Sequence, residues 1–459
     1  MKRRSFSKLL AALRVHATPV LVLLGLWLAG VNQGFPHVDS GLYAGLSRHA
    51  YSGSIWDWWL LAGPDQDYFN KPPMAFWIHG AFFAVLVPLF GPEMWILRLP
   101  SLLLAMVALL AFTDTVRQVS GARVALIAGL AIATTIEFFR YTKAISLDMT
   151  LAAFVLVGLW AMIRSTSKRA TVLAGVAFGA ALLTKPMLAL LPMGLFFIWL
   201  VWDKRRCGLK RAIAATVVAF AVAVPWHVAM IVSFPGAFLD EYFGSQAVAR
   251  IATAKHGAEP WYYYPKEIAE FYWPWMVPMG LGFIVLLMGG FKRDRRAILL
   301  IAIFSLGWLL ALSISTDKAS RYAVQVYPFM GWLAALWLIR SAPVWIRRGG
   351  GRRIIGYLGP AGVMVGLALL VTDVRIHKPV PDEWLPLLDL AVVAPDAMQE
   401  LEMYPKDPAA AGTIGWYTGR VPPAGSLSSD LVLITDEDQH LPEDAAVITT
   451  GRFQIVGSP

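Results

Sequence analysis

The sequence is short of charge and almost without cysteine. Only 15% of its 459 residues are charged, while 57% are hydrophobic. Soluble domains carry about 25% charged and 45–50% apolar residues. With a mean hydropathy of +0.58, the chain reads as an integral membrane protein. Its single cysteine, Cys207, excludes an intramolecular disulfide and a thiolate metal cluster. No HExxH or HxxxH spacing occurs and the acidic residues are scattered, so no metal site is expected and no cofactor is assigned. A Walker loop and a GxGxxG turn are also missing, which argues against a cytoplasmic nucleotide as energy source. There is no internal repeat and no low-complexity linker. A cleavable signal peptide is not evident; the first apolar run reads as a retained helix behind the basic head "MKRRSFSKLLAALR".

What is present is membrane vocabulary. Nineteen tryptophans and 29 prolines suit a chain that lives at interfaces and in lipid. The net charge of +10 is unevenly spread: from Asp373 to the end 14 acidic residues face 5 basic ones, so the first 372 residues carry +19. That excess lies in short loops between apolar runs, a topology signal rather than a nucleic-acid surface. Roughly 20 apolar residues cross a bilayer. Twelve segments qualify: 18–35, 72–91, 95–113, 122–138, 146–164, 171–184, 186–202, 212–234, 274–290, 297–315, 321–340 and 354–372. The basic loops at the N-terminus, 120–123, 165–169, 203–211, 291–296 and 346–353 should share the cytoplasmic side. Parity then fails only between the N-terminus and 120–123, where three segments lie. Segment 72–91, which opens on Pro-Pro and ends on Gly-Pro, is expected to be re-entrant or interfacial. Eleven spans remain, with the N-terminus cytoplasmic and the C-terminus outside.

In that orientation the outer side holds loops 36–71 and 235–273 and the tail 373–459. Loop 36–71 has apolar residues at helical spacing and reads as an interfacial helix. Loop 235–273 is aromatic and long enough to fold over a site. The tail alternates short apolar runs such as "SDLVLITD" and "DAAVITTGRFQIV" with turn residues, as a small extracytoplasmic α/β cap would. The polar residues that interrupt the apolar pattern gather at outer segment ends: Asp39, Lys71, Arg140, Lys143, Asp148, Lys185, His227, Gln246, Arg250, Lys318 and Arg321. Cations are unexpected there, and an anionic ligand would account for them.

Each of these residues has two readings. Asp39 and Asp148 suit a base and an orienting carboxylate, or a helix cap and a salt-bridge partner for Arg140 or Lys143. Lys71 precedes Pro72 and Pro73 in "DYFNKPPMAFW". It is either a snorkelling anchor or a cation held beside a helix N-terminus, ready for a phosphate. Arg250, with Lys255 and His256 behind it, and the Lys318–Arg321 pair before Tyr322 read as phosphate ligands or as headgroup anchors. Lys185 in "LLTKPML" has little loop to solvate it. His227 is most simply a hydrogen-bonded helix-end residue.

The order of these stretches resembles the GT-C membrane glycosyltransferases, in the branch holding the lipid A aminoarabinose transferases and the protein O-mannosyltransferases. "HVDSGLYAGLSR", "YFNKPPMAFW", "RYTKAISLDMTLAAF", "GAALLTKPMLALLP", "PWHVAM…FLDEYFGSQAVAR" with "PWYYY", and "SISTDKASRYAVQVYPFMGW" follow the family's motifs in register across about residues 20–340. Asn70 stands where the family is usually acidic, and Gln246 where relatives often carry His or Glu.

The resemblance implies a polytopic all-α fold of about 11–13 transmembrane helices over residues 1–372, followed by the 373–459 domain. It implies a polyprenyl-phosphate sugar donor and a lipid or envelope-glycan acceptor, joined with inversion on the periplasmic face of a bacterial inner membrane. Asp39 would be the general base, with Asp148 a second acidic residue at the reaction centre. Lys71, Arg250, Tyr322 and Lys318 would hold the donor phosphate. Lys185, Arg140, Tyr43 and Gln246 would line the pocket. The rival reading is a transporter or flippase of lipid-linked sugars, which would need a polar path through the bilayer. The one-sided gathering of polar residues opposes it.

Overall fold

In the computed structural model, the described residues are 2–29, 31, 38–52, 55–63, 66–202, 208–248, 259–272, 275–315 and 318–341, with 402–404, 414, 416, 431–434, 446–450 and 453–457 in the tail. The described chain is mainly helical. By contacts it forms two compact units: Met1–Ala29, Asn70–Pro72 and Ser101–Thr372 in the first, and Gly30–Phe69, Pro73–Pro100 and Asp373–Pro459 in the second. The units thus cut across the boundary expected at residue 373, since residues 30–69 and 73–100 group with the tail.

Apolar runs become helices at nearly every expected place. In chain order they are α1 (Lys2–Leu28), α2 (Val38–Ser52), α3 (Ile55–Leu60), α4 (Met74–Phe90), α5 (Met94–Ser120), α6 (Ala122–Ala133), α7 (Ile136–Arg140), α8 (Leu147–Arg164), α9 (Lys168–Leu182), α10 (Pro186–Trp202) and α11 (Leu209–Ser233). Helices Met276–Leu287, Arg295–Ile314 and Tyr327–Leu336 follow. Segment 354–372 lies outside the described residues. By length and apolarity four described helical stretches can cross a membrane: Met94–Ser120, Leu147–Arg164, Leu209–Ser233 and Lys292–Ile314. A fifth is the bent pair Ala122–Ala133 and Ile136–Lys143. α4 has 17 residues, below the roughly 20 that a straight crossing needs.

Packing in the first unit follows membrane rules. Apolar surface gains nothing by leaving lipid, so helices associate where small residues let backbones approach. Gly175 and Gly179 on α9 form such a seam against α11. A Cβ on Gly175 would stand 2.5 Å from the Val218 Cβ, and one on Gly179 2.6 Å from the Val222 Cβ. α11 offers the buried row Ala212, Ala215, Ala219 and Ala223.

The segment expected as one helix over 122–138 is broken, and the two pieces meet at 62°. Thr134 and Thr135 turn their hydroxyls back to the carbonyls of Leu130 (2.7 Å) and Ala131 (2.6 Å). Such bonds compete with helix continuation, and Thr135 takes an extended ψ of 125°. The break throws α7 and the 3-10 turn Tyr141–Lys143 sideways. Lys143 Nζ then donates to the Ala29 carbonyl at 2.9 Å, and Trp27 Nε1 to the Thr142 carbonyl at 3.3 Å. The segment expected over 321–340 also opens differently, as a 3-10 turn Ser320–Gln325 before the helix at Tyr327.

In the second unit α2 lies against α4. Tyr43 and Tyr68 set edges on Phe76 at 5.3 and 5.7 Å, and Trp58 and Trp59 stack on Trp77 at 5.4 and 4.9 Å. Loop 36–71 is therefore helical over α2 and α3, as its spacing predicts. Trp416 from the tail packs on Phe83, and its carbonyl accepts from Arg48. These contacts explain why residues 30–69 and 73–100 group with the tail. The runs "LVLI", "AVITT" and "FQIVG" form three strands of a four-stranded sheet, β3 (Glu402–Tyr404), β4 (Leu431–Ile434), β5 (Ala446–Thr450) and β6 (Phe453–Gly457). The two-stranded pair β1 (Ala62–Gly63) and β2 (Gln66–Asp67) precedes α4. The order is β3-β4-β6-β5, with β3 parallel to β4 and the other pairs antiparallel.

Candidate active site

The site begins with a cap. Ser146 precedes α8, and its hydroxyl accepts from the Met149 amide at 3.2 Å. Asp148 then falls in the first turn, where the helix dipole favours a carboxylate. It is buried at 2% exposure. Lys185 sits in the tight break between α9 and α10, with no loop long enough to carry it into water. Its Nζ donates to both Asp148 oxygens, at 2.8 and 2.7 Å. Arg321 adds a second cation, its Nε 3.9 Å from Asp148 Oδ2. Gln325 Nε2 donates to the Asp148 carbonyl at 3.0 Å.

Tyr322 completes the group. Lys185 Nζ lies 4.8 Å from its ring centroid and Arg321 Cζ 5.7 Å. Both cations can gain from the π face. The Tyr322 carbonyl accepts from Trp308 Nε1 at 3.1 Å, which fixes the turn. Two cations thus stand beside one carboxylate. The Lys185 and Arg321 side chains are 12% and 28% exposed. A pair this enclosed is poor value as a stability device, since desolvation cancels much of its attraction. Cations held in a low-dielectric place suit an arriving anion.

The structure brings Asp148, Lys185, Arg321 and Tyr322 together. Lys71 lies half-buried in the same unit. Lys318 behaves differently from the sequence expectation of a phosphate ligand: its amine donates to the carbonyls of Ser315 at 2.7 Å and Glu259 at 3.0 Å. That geometry ties Glu259, before the helix Tyr263–Phe271, to the end of the helix Arg295–Ile314. Arg140 is exposed and pairs with Glu137 at 3.2 Å rather than with Asp148. Asp39 and Tyr43 belong to the second unit; Asp39 stands half-buried in the first turn of α2, and Tyr43 is buried on Phe76. His227 bonds to the Ala223 carbonyl and the Tyr242 hydroxyl, both at 2.9 Å, as a helix-end residue should. Gln246 lies in the π-helical stretch Leu239–Val248. Arg250, Lys255 and His256 lie outside the described residues. Among the described residues, no three His, Cys, Asp or Glu side chains converge on a metal-sized site.

Sequence reasoning passed over Glu137 and Gln325. Glu137 follows a Thr-Thr pair at the end of an apolar run, and its full burial, at 0% exposure, was the signal available in "TTIEFFR" only once the helix was known to break there.

Known proteins supply the comparison. Residues 70–228 match the family model described as dolichyl-phosphate-mannose-protein mannosyltransferase. An undecaprenyl phosphate-alpha-4-amino-4-deoxy-L-arabinose arabinosyl transferase from Pseudomonas savastanoi pv. phaseolicola is 27% identical over 418 residues, covering 85% of this chain and 71% of the relative. One from Pseudomonas fluorescens is 27% identical over 68% of this chain, which spans 57% of that relative's length. Among solved structures, ArnT from Cupriavidus metallidurans bound to undecaprenyl phosphate superposes with a TM-score of 0.73 at 19% identity, covering 95% of this chain and 97% of the other. The archaeal oligosaccharyltransferase AglB from Archaeoglobus fulgidus superposes at 0.59 with 13% identity, over 94% of this chain and 70% of its own. The motif order in the sequence and the shared architecture make the chain similar to the GT-C membrane glycosyltransferases, the aminoarabinose transferases among them.

Proposed function

We propose that the protein transfers a sugar from a polyprenyl-phosphate donor to a hydroxyl of a lipid or envelope glycan, on the periplasmic face of the inner membrane. The observation that carries this reading is the enclosed cationic seat of Lys185 and Arg321 around Asp148. In the transfer, the bond between the anomeric carbon and the phosphate oxygen breaks. The acceptor oxygen bonds that carbon from the opposite face, and the configuration inverts. The lipid phosphate leaves with one more negative charge than it had in the donor. Cations already fixed at that oxygen stabilise the growing charge without reorganising, usually the largest single contribution to such catalysis. Lys185 and Arg321 fill this role, with Lys71 and Arg250 as further phosphate ligands and Tyr322 as the plate behind them. Asp148 orients Lys185.

The acceptor hydroxyl must lose a proton as it attacks. Asp39 takes it, a role supported by the acidic first-loop motif and by the half-buried place of Asp39 at a helix start. Eleven spans, a cytoplasmic N-terminus and a small periplasmic α/β domain over 373–459 complete the reading. The relatives' substrate, an aminoarabinose on undecaprenyl phosphate, is the first donor to test. Asp39→Asn should lower transfer about 10²–10⁴-fold, the usual worth of a general base, while affinity for undecaprenyl phosphate stays unchanged. Transfer at the wild-type rate would remove Asp39 from this role.

A further inference from the structure

Four consecutive aromatics, Trp261 to Tyr264, divide between outside and inside. Trp261 and Tyr262 are 75% and 52% exposed, Tyr263 is half-buried and Tyr264 is fully buried. The inner two hold the turn Ser320–Gln325, which carries Arg321 and Tyr322. The Tyr264 hydroxyl accepts from the Ala319 amide at 3.4 Å, and the Tyr263 hydroxyl bonds the Ser320 backbone. Ala319 is the N-cap of that turn and Ser320 its first residue. Amides at a helical start have no partner inside the helix, so two phenols from another helix take that place.

Lys318 fixes the level at which this happens. Its buried amine bonds the carbonyls of Glu259 and of Ser315, the C-cap of the helix Arg295–Ile314. A cation is favoured at that negative end of the helix dipole. The helix belongs to the stretch Lys292–Ile314, which is long and apolar enough to cross a membrane. Trp261 follows Glu259 by two residues, at most about 7 Å of chain. The aromatic pair therefore stands near the level at which a crossing helix ends. The helix Tyr263–Phe271 buries Ile268 there and leaves Lys266 and Glu270 exposed. Beside that polar face, Trp261 and Tyr262 set their rings edge to face, with centroids 5.8 Å apart. Exposed rings that each carry one N–H or O–H suit the headgroup zone of a bilayer, which is apolar on one side and wet on the other.

We propose that Trp261 and Tyr262 dock in the headgroup zone of the outer leaflet, and that Tyr263 and Tyr264 pass this depth to the turn bearing Arg321 and Tyr322. The anion seat is thereby held at the height of a lipid phosphate. Tyr263 and Tyr264 are positioning residues that act through the turn. This rests on the donor reading above and adds where the donor is met: its phosphate at headgroup depth, its prenyl chain still in the bilayer.

The test uses the full-length protein in nanodiscs of phosphatidylethanolamine and phosphatidylglycerol. In a Cys207→Ser background, a spin label at Trp261→Cys should meet an aqueous nickel chelate several-fold less often than one at Lys266→Cys. Equal access would leave the pair in water and overturn the docking. Two binding probes read the coupling: undecaprenyl phosphate, whose phosphate the bilayer holds at its surface, and dimethylallyl phosphate, supplied from water. Trp261→Ser with Tyr262→Ser should weaken undecaprenyl phosphate about tenfold and leave dimethylallyl phosphate within about twofold. Tyr264→Phe should weaken both probes about fivefold, the scale of one hydrogen bond. Tyr263→Phe is the second variant, for the event that Tyr264→Phe does not fold. Equal loss of both probes in the double variant would reduce the aromatic pair to structural support, and loss of neither would make it idle; either result overturns the setting of depth. Full affinity in both phenylalanine variants would overturn the link to the turn. Failure of undecaprenyl phosphate to bind wild type would instead overturn the donor reading beneath it.

Discussion

Two buried aspartates in the helical unit have similar partners and opposite meanings. Asp114, near the end of α5, receives hydrogen bonds from Arg117, Gln118, Trp160 and Arg164, each at 2.8 Å, and has His16 at 3.6 Å. Its arginines reach outward, with side chains 36% and 51% exposed. Asp148 gives both oxygens to one lysine, and its cations are enclosed. The first arrangement is a pin: it satisfies a carboxylate and draws α5, α8 and α1 together where the surplus charge is already solvated. The second holds two cations where solvent is scarce, the arrangement proposed above as an anion seat. What separates the two arrangements is not the residue types but how far the cations can reach solvent.

The largest effect that would sharpen this contrast is at Lys185. Lys185→Ala should lower turnover by about 10²–10³-fold, the scale lost with one fixed donor to a developing oxyanion. Thermal stability should change far less than turnover. A loss confined to stability, with turnover per folded molecule intact, would make Asp148 a second pin. Arg321→Lys comes next. It keeps the charge and removes the planar fork that grips phosphate oxygens, so turnover should fall about tenfold, read as a rise in KM for the lipid donor. Equal kinetics would show that Arg321 acts only as a point charge. The smallest effect on catalysis is expected at the pin. Asp114→Asn should cost about 2 kcal/mol of stability, the scale of charged hydrogen bonds, and leave turnover within about twofold. Loss of turnover in a stable Asp114→Asn protein would erase the distinction.

The same contrast explains what could be read in advance. α4 follows "KPP" as the prolines predict, and the helices at 146–164 and 212–234 follow from apolar runs bounded by polar loops. The strands at 431–434, 446–450 and 453–457 follow from alternation and turn residues. These are local properties, decided within a turn or two of chain. Thr134 and Thr135 also carried a local signal, but hydropathy overrode it. Lys318 and Lys185 looked alike in sequence, each a lone cation at the end of an apolar run. Only the fold gave one amine to backbone carbonyls and the other to a carboxylate.

The sequence by itself determined the membrane character, the positions of most helices, the order of the family motifs and the candidates Asp148, Lys185 and Tyr322, because hydropathy and spacing act over short distances along the chain. Tertiary structure alone decided which charges meet. Asp148 finds Lys185 across 37 residues and Gln325 across 177. The helix break at Thr134–Thr135 puts Glu137 in a buried cluster instead of continuing it along a span. Coulomb energy depends on distance in space and on the dielectric around the pair, and neither is written in a local stretch of residues.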